Sequence, residues 1–245
     1  MTPSFLQGAE IIGTGTYSTV YRIRASLWNK IRPPGSKATS HPTLALKEAD
    51  MTEATNKEIE MHKKAQACTE SVPKFYGSFT RGQKTYLAME DLREYRQLDT
   101  MNVPTYAKIV LIMKKLHACG IVHADLYPRN VLVHGKTIKI IDFGVSYIGE
   151  NGPSVNGSGL EQLVYEQLQR AVDNKNIRSL NQWLATNHGK PRDAMYMAIK
   201  EGWTDGVKHI IESGAFKGQY LSYNMMQRAE RSPEIEKILE NHGFL

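Results

Sequence analysis

His123-Ala124-Asp125-Leu126-Tyr127-Pro128-Arg129-Asn130 is followed, twelve residues after Asn130, by Asp142-Phe143-Gly144. Two carboxylates and a side-chain amide thus stand in a fixed order. Between them lie two apolar runs, Asn130–Val133 and Thr137–Ile141, joined by His134-Gly135-Lys136 and read as strands. Any one of the three polar residues would serve as an ordinary turn residue, since Asp and Asn bond their own backbone readily. What precedes them in the chain decides between the two readings.

Upstream, Gly13-Thr14-Gly15-Thr16-Tyr17-Ser18-Thr19-Val20 lies between strand signals at Ala9–Ile12 and Thr19–Arg24. Glycines let backbone N–H groups approach phosphate oxygens unobstructed, although the same spacing also suits a hairpin with no ligand. Ser18 stands where a third glycine is common, and the absence of Gly-Lys-Ser/Thr excludes the P-loop type. A third strand, Leu44–Glu48, carries Ala45-Leu46-Lys47. Alone, Lys47 is a surface lysine; behind a glycine loop it can hold the α- and β-phosphates of a nucleotide. A carboxylate must then hold the lysine. The helical stretch Ala54–Ala67 offers Glu58 and Glu60, which two-residue spacing puts on different faces, so only one points inward. Glu58 is chosen, with Glu60 as the fallback.

Taken together, His-x-Asp-Leu-x-Pro-x-Asn and Asp-Phe-Gly, behind the glycine loop and Lys47, resemble the signature of the protein kinases over about residues 8–148. The resemblance implies an α+β, two-lobed protein kinase-like fold with ATP and Mg²⁺ as cofactors. It also implies roles. Asp125 would position an acceptor hydroxyl and take its proton, with Lys47 and Asn130 completing the catalytic set. Asn130 and Asp142 would bind Mg²⁺, which prefers hard oxygen donors. The nucleotide would meet Gly13, Gly15, Ser18, Val20, Ala45, Lys47, Glu58 and Leu132, with Met89-Glu90-Asp91-Leu92 as the hinge between lobes. Gly144 is expected to permit a sharp turn after Asp142.

The chain departs from that pattern at three places. Ala124 replaces the arginine that pairs with a phosphorylated activation loop, arguing against that switch. Tyr127 occupies the position where serine/threonine kinases usually carry lysine, and no Ala-Pro-Glu follows Asp142. The shortened layout is similar to the RIO family, the kinase subunit of the KEOPS complex and the aminoglycoside-phosphotransferase relatives.

Elsewhere, Lys74–Thr80 and Lys84–Glu90 are β-rich and joined by Thr80-Arg81-Gly82-Gln83, a hairpin pattern. Thr105–Ala118 has apolar residues at a helical spacing and is closed by Gly120, whereas Asn29–Pro42 reads as an exposed loop. After the small-residue linker Gly149–Gly159 everything looks helical and weakly repetitive. Leu180, Val207 and Ile235 recur at one period, each preceded nine residues earlier by Ala171, Ala198 or Met226. Trp183-Leu184, Ile210-Ile211 and Ile238-Leu239 follow in step. Such periodicity marks stacked helical hairpins. The middle unit, Ala194–Ala215, resembles an ankyrin repeat without its Thr-Pro-Leu-His opening. The expected division is a kinase-like domain over 1–158 and an ankyrin-like helical region over 159–245, with a boundary between 150 and 175. Leu160–Ala171 has a place in either.

Composition bounds the rest. The chain has 245 residues, 41% hydrophobic and 9% aromatic, as expected of a globular protein. No apolar run is long enough to span a bilayer and no secretory leader opens the chain. Cys68 and Cys119 match no metal spacing and suggest no disulfide framework, which suits a reducing, cytoplasmic setting (a host cytoplasm for a viral or effector protein). The net charge of +6 falls within residues 1–150, but the basic residues are scattered, which disfavours nucleic acid as a partner. A protein substrate or regulatory partner, bound through the C-terminal helices, is expected instead. The leading expectation is an ATP-dependent protein kinase of serine/threonine type, with tyrosine as another acceptor. A small-molecule kinase and a nucleotide-binding pseudokinase scaffold are the alternatives.

Overall fold

A computed structural model describes residues 3–15, 18–99, 101–149, 160–186 and 188–245. Thr16 and Tyr17 of the glycine run, and the expected linker beyond Gly149, lie outside the described residues. The chain divides into two compact units, Met1–Asp99 with Ala107–Ser158, and Thr100–Tyr106 with Gly159–Leu245.

The first unit opens on β1 (Glu10–Thr14), β2 (Ser18–Arg24), α1 (Ala25–Ile31), β3 (Thr43–Asp50), α2 (Glu53–Cys68), β4 (Phe75–Arg81) and β5 (Lys84–Glu90). The strands form one antiparallel sheet in the order β1-β2-β3-β5-β4. Alternation along the strands divides its faces. Tyr21, Ile23, Leu44 and Leu46 point to one side and pack with Trp28, Tyr76 and Tyr86. On the other side Leu87 and Phe75 pack against Ile59 of α2. The β4–β5 turn falls at Gly82-Gln83, with φ of 63° at Gly82, so the expected hairpin is present.

Asn29–Pro42 is not simply an exposed loop. Its first residues finish α1, and Trp28, just before them, is fully buried. The Trp28 indole donates to the Lys37 carbonyl (3.0 Å), and the Lys37 N–H donates to Tyr76 O (2.9 Å). One buried aromatic in a seven-residue helix gives too little periodicity to be read beforehand. The loop comes so close to β4 that a Cβ at Gly77 would lie 2.4 Å from the Ser36 hydroxyl and 3.3 Å from the Trp28 ring.

β6 (Arg96–Gln97), α3 (Val103–Ala118), β7 (Ile121–Val122), a 3₁₀ turn at Pro128–Asn130, β8 (Val131–His134), β9 (Thr137–Ile140) and β10 (Tyr147–Ile148) follow. β8 and β9 form the expected hairpin, with β6 added to its edge. β7 pairs with β10. Cys68 and Cys119, expected to be unpaired, are joined by a disulfide with Cα atoms 6.4 Å apart. The expectation failed because 51 residues of sequence conceal two helix ends that meet in space. Closing a loop of that length contributes about 4 kcal/mol in the chain-entropy model.

The second unit contains α4 (Leu160–Asp173), α5 (Ile177–Leu184), α6 (Pro191–Lys200), α7 (Thr204–Glu212), α8 (Tyr223–Ala229) and α9 (Pro233–Asn241). They pack as three helical hairpins, with α4, α6 and α8 in one row and α7 against α9 in the other. Leu180, Val207 and Ile235 are each fully buried at matching places in α5, α7 and α9. The third hairpin slips in register: Met225 and Ala229, rather than Met226, are buried in α8, and Leu239 rather than Ile238 in α9. Gly206 has a steric reason, since a Cβ there would lie 2.3 Å from the buried Trp203 ring. Tyr106 packs within this unit, its hydroxyl 2.5 Å from His188 Nδ1 and its ring edge-on to Trp183. Among the described residues, no helix is long and apolar enough to cross a membrane.

Candidate active site

Strand β3 delivers Lys47, and α2 delivers its partner. Thr52 caps α2 by accepting the Thr55 N–H (3.2 Å), which sets the helix so that Glu58, Ile59 and His62 face inward. Lys47 Nζ lies 2.5 Å from Glu58 Oε1 and 3.6 Å from Asp142 Oδ1. Glu60 points outward and pairs with Lys64 (2.7 Å), so of the two carboxylates weighed for Lys47, Glu58 is the one bonded to it. The Lys47 and Glu58 side chains are nearly buried, while that of Asp142 is 49% exposed and open to further ligands.

Asp125 and Asn130 meet Asp142 through the backbone. The Ile141 N–H donates to Asn130 O (3.0 Å), which fixes Asn130 beside the residue preceding Asp142. The Asn130 amide donates to Asp125 Oδ2 (2.7 Å) and to the Asp125 carbonyl (2.8 Å), leaving its Oδ1 as the acceptor. Ala124 and Asp142 both adopt left-handed backbone, with φ of 64° and 65°. Gly144 does not, yet the expected turn after Asp142 is present, with the Ser146 N–H donating to Phe143 O (3.2 Å) across Gly144 and Val145. A side chain at Gly144 would also crowd the Asp142 carboxylate, its Cβ 3.3 Å from Asp142 Oδ1.

Phe143 is fully buried and makes T-shaped contacts with two histidines, His62 of α2 at 5.7 Å and His123 at 4.9 Å between centroids. His123 Nε2 donates to Ile141 O (3.0 Å), and its Nδ1 accepts the Asp125 N–H (3.3 Å). His62 Nε2 donates to Pro73 O (2.8 Å). Burial lowers the pKa of both rings, outweighing the opposing effect of these backbone bonds. The unfolded chain therefore binds more protons than the native one below the ordinary histidine pKa of about 6.5, and native stability is lost as pH falls through that window. The urea midpoint is expected to fall steadily between about pH 7 and pH 5. A midpoint that rises on acidification would mean that these imidazoles are charged in the native state.

A cavity of about 490 Å³ opens over this cluster. Gly13, Ser18, Val20, Ala45, Lys47, Glu58, Met89, Glu90, Leu92, Leu132 and Asp142 all line it. Gly15, Asp125 and Asn130 do not. A larger recess, about 630 Å³, lies by Phe5, Arg24 and Leu27 and contains none of the residues singled out from sequence. The smaller cavity is the candidate site, because the ionised side chains converge there. The Leu92 N–H at its edge has no partner among the described residues, whereas the Glu90 N–H donates to Lys74 O (2.8 Å).

Sequence reasoning gave Asp91 no role beyond the hinge and left out His62, Arg129, Arg22 and Arg93. Asp91, almost fully buried, accepts from Thr43 Oγ1 (2.6 Å), Arg22 Nε (2.9 Å) and Arg93. Burial raises its pKa, but these hydrogen bonds together outweigh it and hold the carboxyl below its ordinary value. His62, within α2, also lines the cavity. Arg129 bonds both Asp125 oxygens (2.9 and 3.0 Å) and lies over the Tyr127 ring, 4.4 Å from its centroid. The four-residue spacing from Asp125 was its only signal. Arg22 and Arg93 gave none, since their shared carboxylate joins them across distant stretches.

Residues 6–167 match the family model described as protein kinase domain. Among curated proteins, the chain is 33% identical over 152 residues to the probable serine/threonine protein kinase IREH1 of Arabidopsis thaliana, covering 50% of this chain and 12% of that one. It is 28% identical to the serine/threonine-protein kinase pakG of Dictyostelium discoideum, over 56% of this chain and 12% of the relative. A probable serine/threonine-protein kinase of Encephalitozoon cuniculi is 27% identical over 61% of this chain and 28% of its own length. The chain thus spans only a small part of the relatives it matches.

Proposed function

Because the chain belongs to the protein kinase domain family, we propose that it transfers the γ-phosphate of ATP to a serine or threonine hydroxyl of a protein. The observation that carries this reading is the linked set Glu58–Lys47–Asp142 beside Asn130–Asp125, beneath a cavity of about 490 Å³. Val20, Ala45, Met89 and Leu132 offer an apolar wall for a purine, and the Leu92 N–H offers it a donor. Gly13 and Gly15 do not have left-handed φ, and among the described residues a Cβ at either would meet nothing closer than 3.7 Å. The Gly15 N–H closes the hairpin onto Ser18 O (2.8 Å), and the open space at both glycines leaves room for the backbone to approach phosphates.

The donor set fits magnesium. Asn130 Oδ1 and the half-exposed Asp142 carboxylate are hard oxygens and would hold the ion. When bound, it neutralises charge on the phosphates of the substrate. Lys47, fixed by Glu58, orients the phosphates of ATP. Asp125, anchored by Asn130 and Arg129, orients the acceptor hydroxyl and takes its proton on a carboxylate oxygen. Tyr127 has no charge to offer a phosphate, and Arg129 is the permanent cation of this loop.

The test is incubation of the full chain with γ-labelled ATP, Mg²⁺, a panel of proteins and a panel of small hydroxyl compounds. Label on protein serine or threonine is the expected result. Label confined to the small compounds would replace this reading with a small-molecule kinase, and nucleotide binding without transfer would replace it with a scaffold.

The three helical hairpins are read as an ankyrin-like surface that docks the protein acceptor. Support comes from the buried period Leu180, Val207 and Ile235, and from Tyr220, 85% exposed in the loop before α8, and Tyr223, 68% exposed at its first residue. Tyr220→Ser with Tyr223→Ser is expected to raise KM for a protein acceptor about 10-fold, leaving kcat unchanged. An unchanged KM would remove the docking surface from these tyrosines.

A further inference from the structure

We propose that Cys68 and Cys119 form a reversible disulfide through which thiol redox state governs how firmly α2 holds Glu58 against Lys47. The second half of this proposal rests on the kinase reading above; the first half does not.

Cys68 is the last residue of α2, and Cys119 directly follows the last residue of α3. Their Cα separation of 6.4 Å lies within the range that a disulfide bridges without moving the backbone. Neither sulfur belongs to the core: Cys119 is exposed and Cys68 half-buried, so a tripeptide thiol can reach them. They are the only two cysteines of the chain, so no other intramolecular pairing competes.

The consequence follows from the helix. Glu58 lies on α2, ten residues before Cys68, which is about 15 Å along a rigid rod. Between the two, α2 is tied to the β4 approach by His62, which donates to Pro73 O, and by Gln66, whose Oε1 accepts the Phe75 N–H (2.7 Å). The disulfide adds a covalent anchor to α3 at the far end of the same rod. Oxidation therefore narrows the positions open to α2 and favours the one in which Glu58 meets Lys47. Reduction releases the anchor.

The exchange balances with glutathione disulfide as oxidant. The Cys119 thiolate, more exposed, attacks one glutathione sulfur and expels one glutathione thiolate. The Cys68 thiolate then attacks the Cys119 sulfur and expels the second. Two protein thiols lose two electrons and two protons, and one glutathione disulfide becomes two glutathiones.

The full chain is equilibrated in glutathione buffers of graded poise, quenched with an alkylating agent and weighed. Both thiols are expected to disappear together in one reversible transition, on a monomer. Phosphoryl transfer, measured in parallel, is expected to be roughly fivefold or more higher in the oxidised form. Cys119→Ser should abolish the redox dependence and hold activity at the reduced level. Two alkylatable thiols at every poise, or a disulfide between chains, would overturn the site. A disulfide that forms with no change in transfer, or in hydrogen exchange of the α2 amides, would overturn its coupling to Glu58. Absence of transfer at every poise would defeat the kinase reading alone, leaving the thiol count and the α2 exchange to decide the rest.

Discussion

Asp125→Ala is expected to slow phosphoryl transfer by about 10²–10⁴ while ATP affinity stays near that of the wild type. The two effects separate because the Asp125 side chain is not part of the wall of the cavity proposed for the nucleotide. Nor should the fold be lost. The side chain is partly exposed, and its Asn130 partner keeps a second acceptor, the Asp125 carbonyl at 2.8 Å. The uncompensated group is Arg129, which is 57% exposed and can turn to water. Asp125→Asn makes the test sharper. An amide preserves size and an oxygen that can accept from Asn130 and Arg129, but it cannot take a proton at neutral pH. If Asp125 only positions the loop, the asparagine variant recovers most of the rate; if it accepts the proton, both variants are slow. Single-turnover measurement with γ-labelled ATP decides, and a full rate in both variants would remove Asp125 from the chemistry.

How much of this could be read beforehand depended on whether the signal was local. The β8–β9 hairpin, Lys47 on β3 and the helical spacing of α2 all lie within short stretches, and each is present in the structure. The choice of Glu58 over Glu60 came from position in the sequence, and the geometry shows its physical basis: one faces Lys47, the other Lys64. What escaped were features made by distant parts of the chain. Asp91 reaches Arg22 across sixty-nine residues, and Cys68 reaches Cys119 across fifty-one. No window of sequence contains either pair. Helix α1 escaped for another reason, since its buried surface is mainly one tryptophan. Gly144 shows both sides at once. The turn after Asp142 was legible in the local sequence, but the Asp142 carboxylate oxygen that would lie 3.3 Å from a Cβ there was not.

Asp142→Ala is expected to lower ATP affinity measured with Mg²⁺ by about 10-fold or more, to the value found without the metal. The Asp142 carboxylate is half-exposed and only loosely paired, at 3.6 Å from Lys47, whose closer partner is Glu58. Removing it therefore leaves Lys47 in place to meet the phosphates, and the loss falls on the metal-dependent part of binding. Backbone conformation requires a second variant. Asp142 has φ of 65°, where aspartate and asparagine are tolerated and alanine costs about 1 kcal/mol. Asp142→Asn keeps that tolerance and one oxygen donor, so its fold should match the wild type while its metal-dependent affinity falls between the other two. Titrating ATP into all three proteins, with and without Mg²⁺, separates strain from coordination. Should the three bind alike under both conditions, Asp142 would have no part in holding the cation, and the oxygen of Asn130 would have lost its partner.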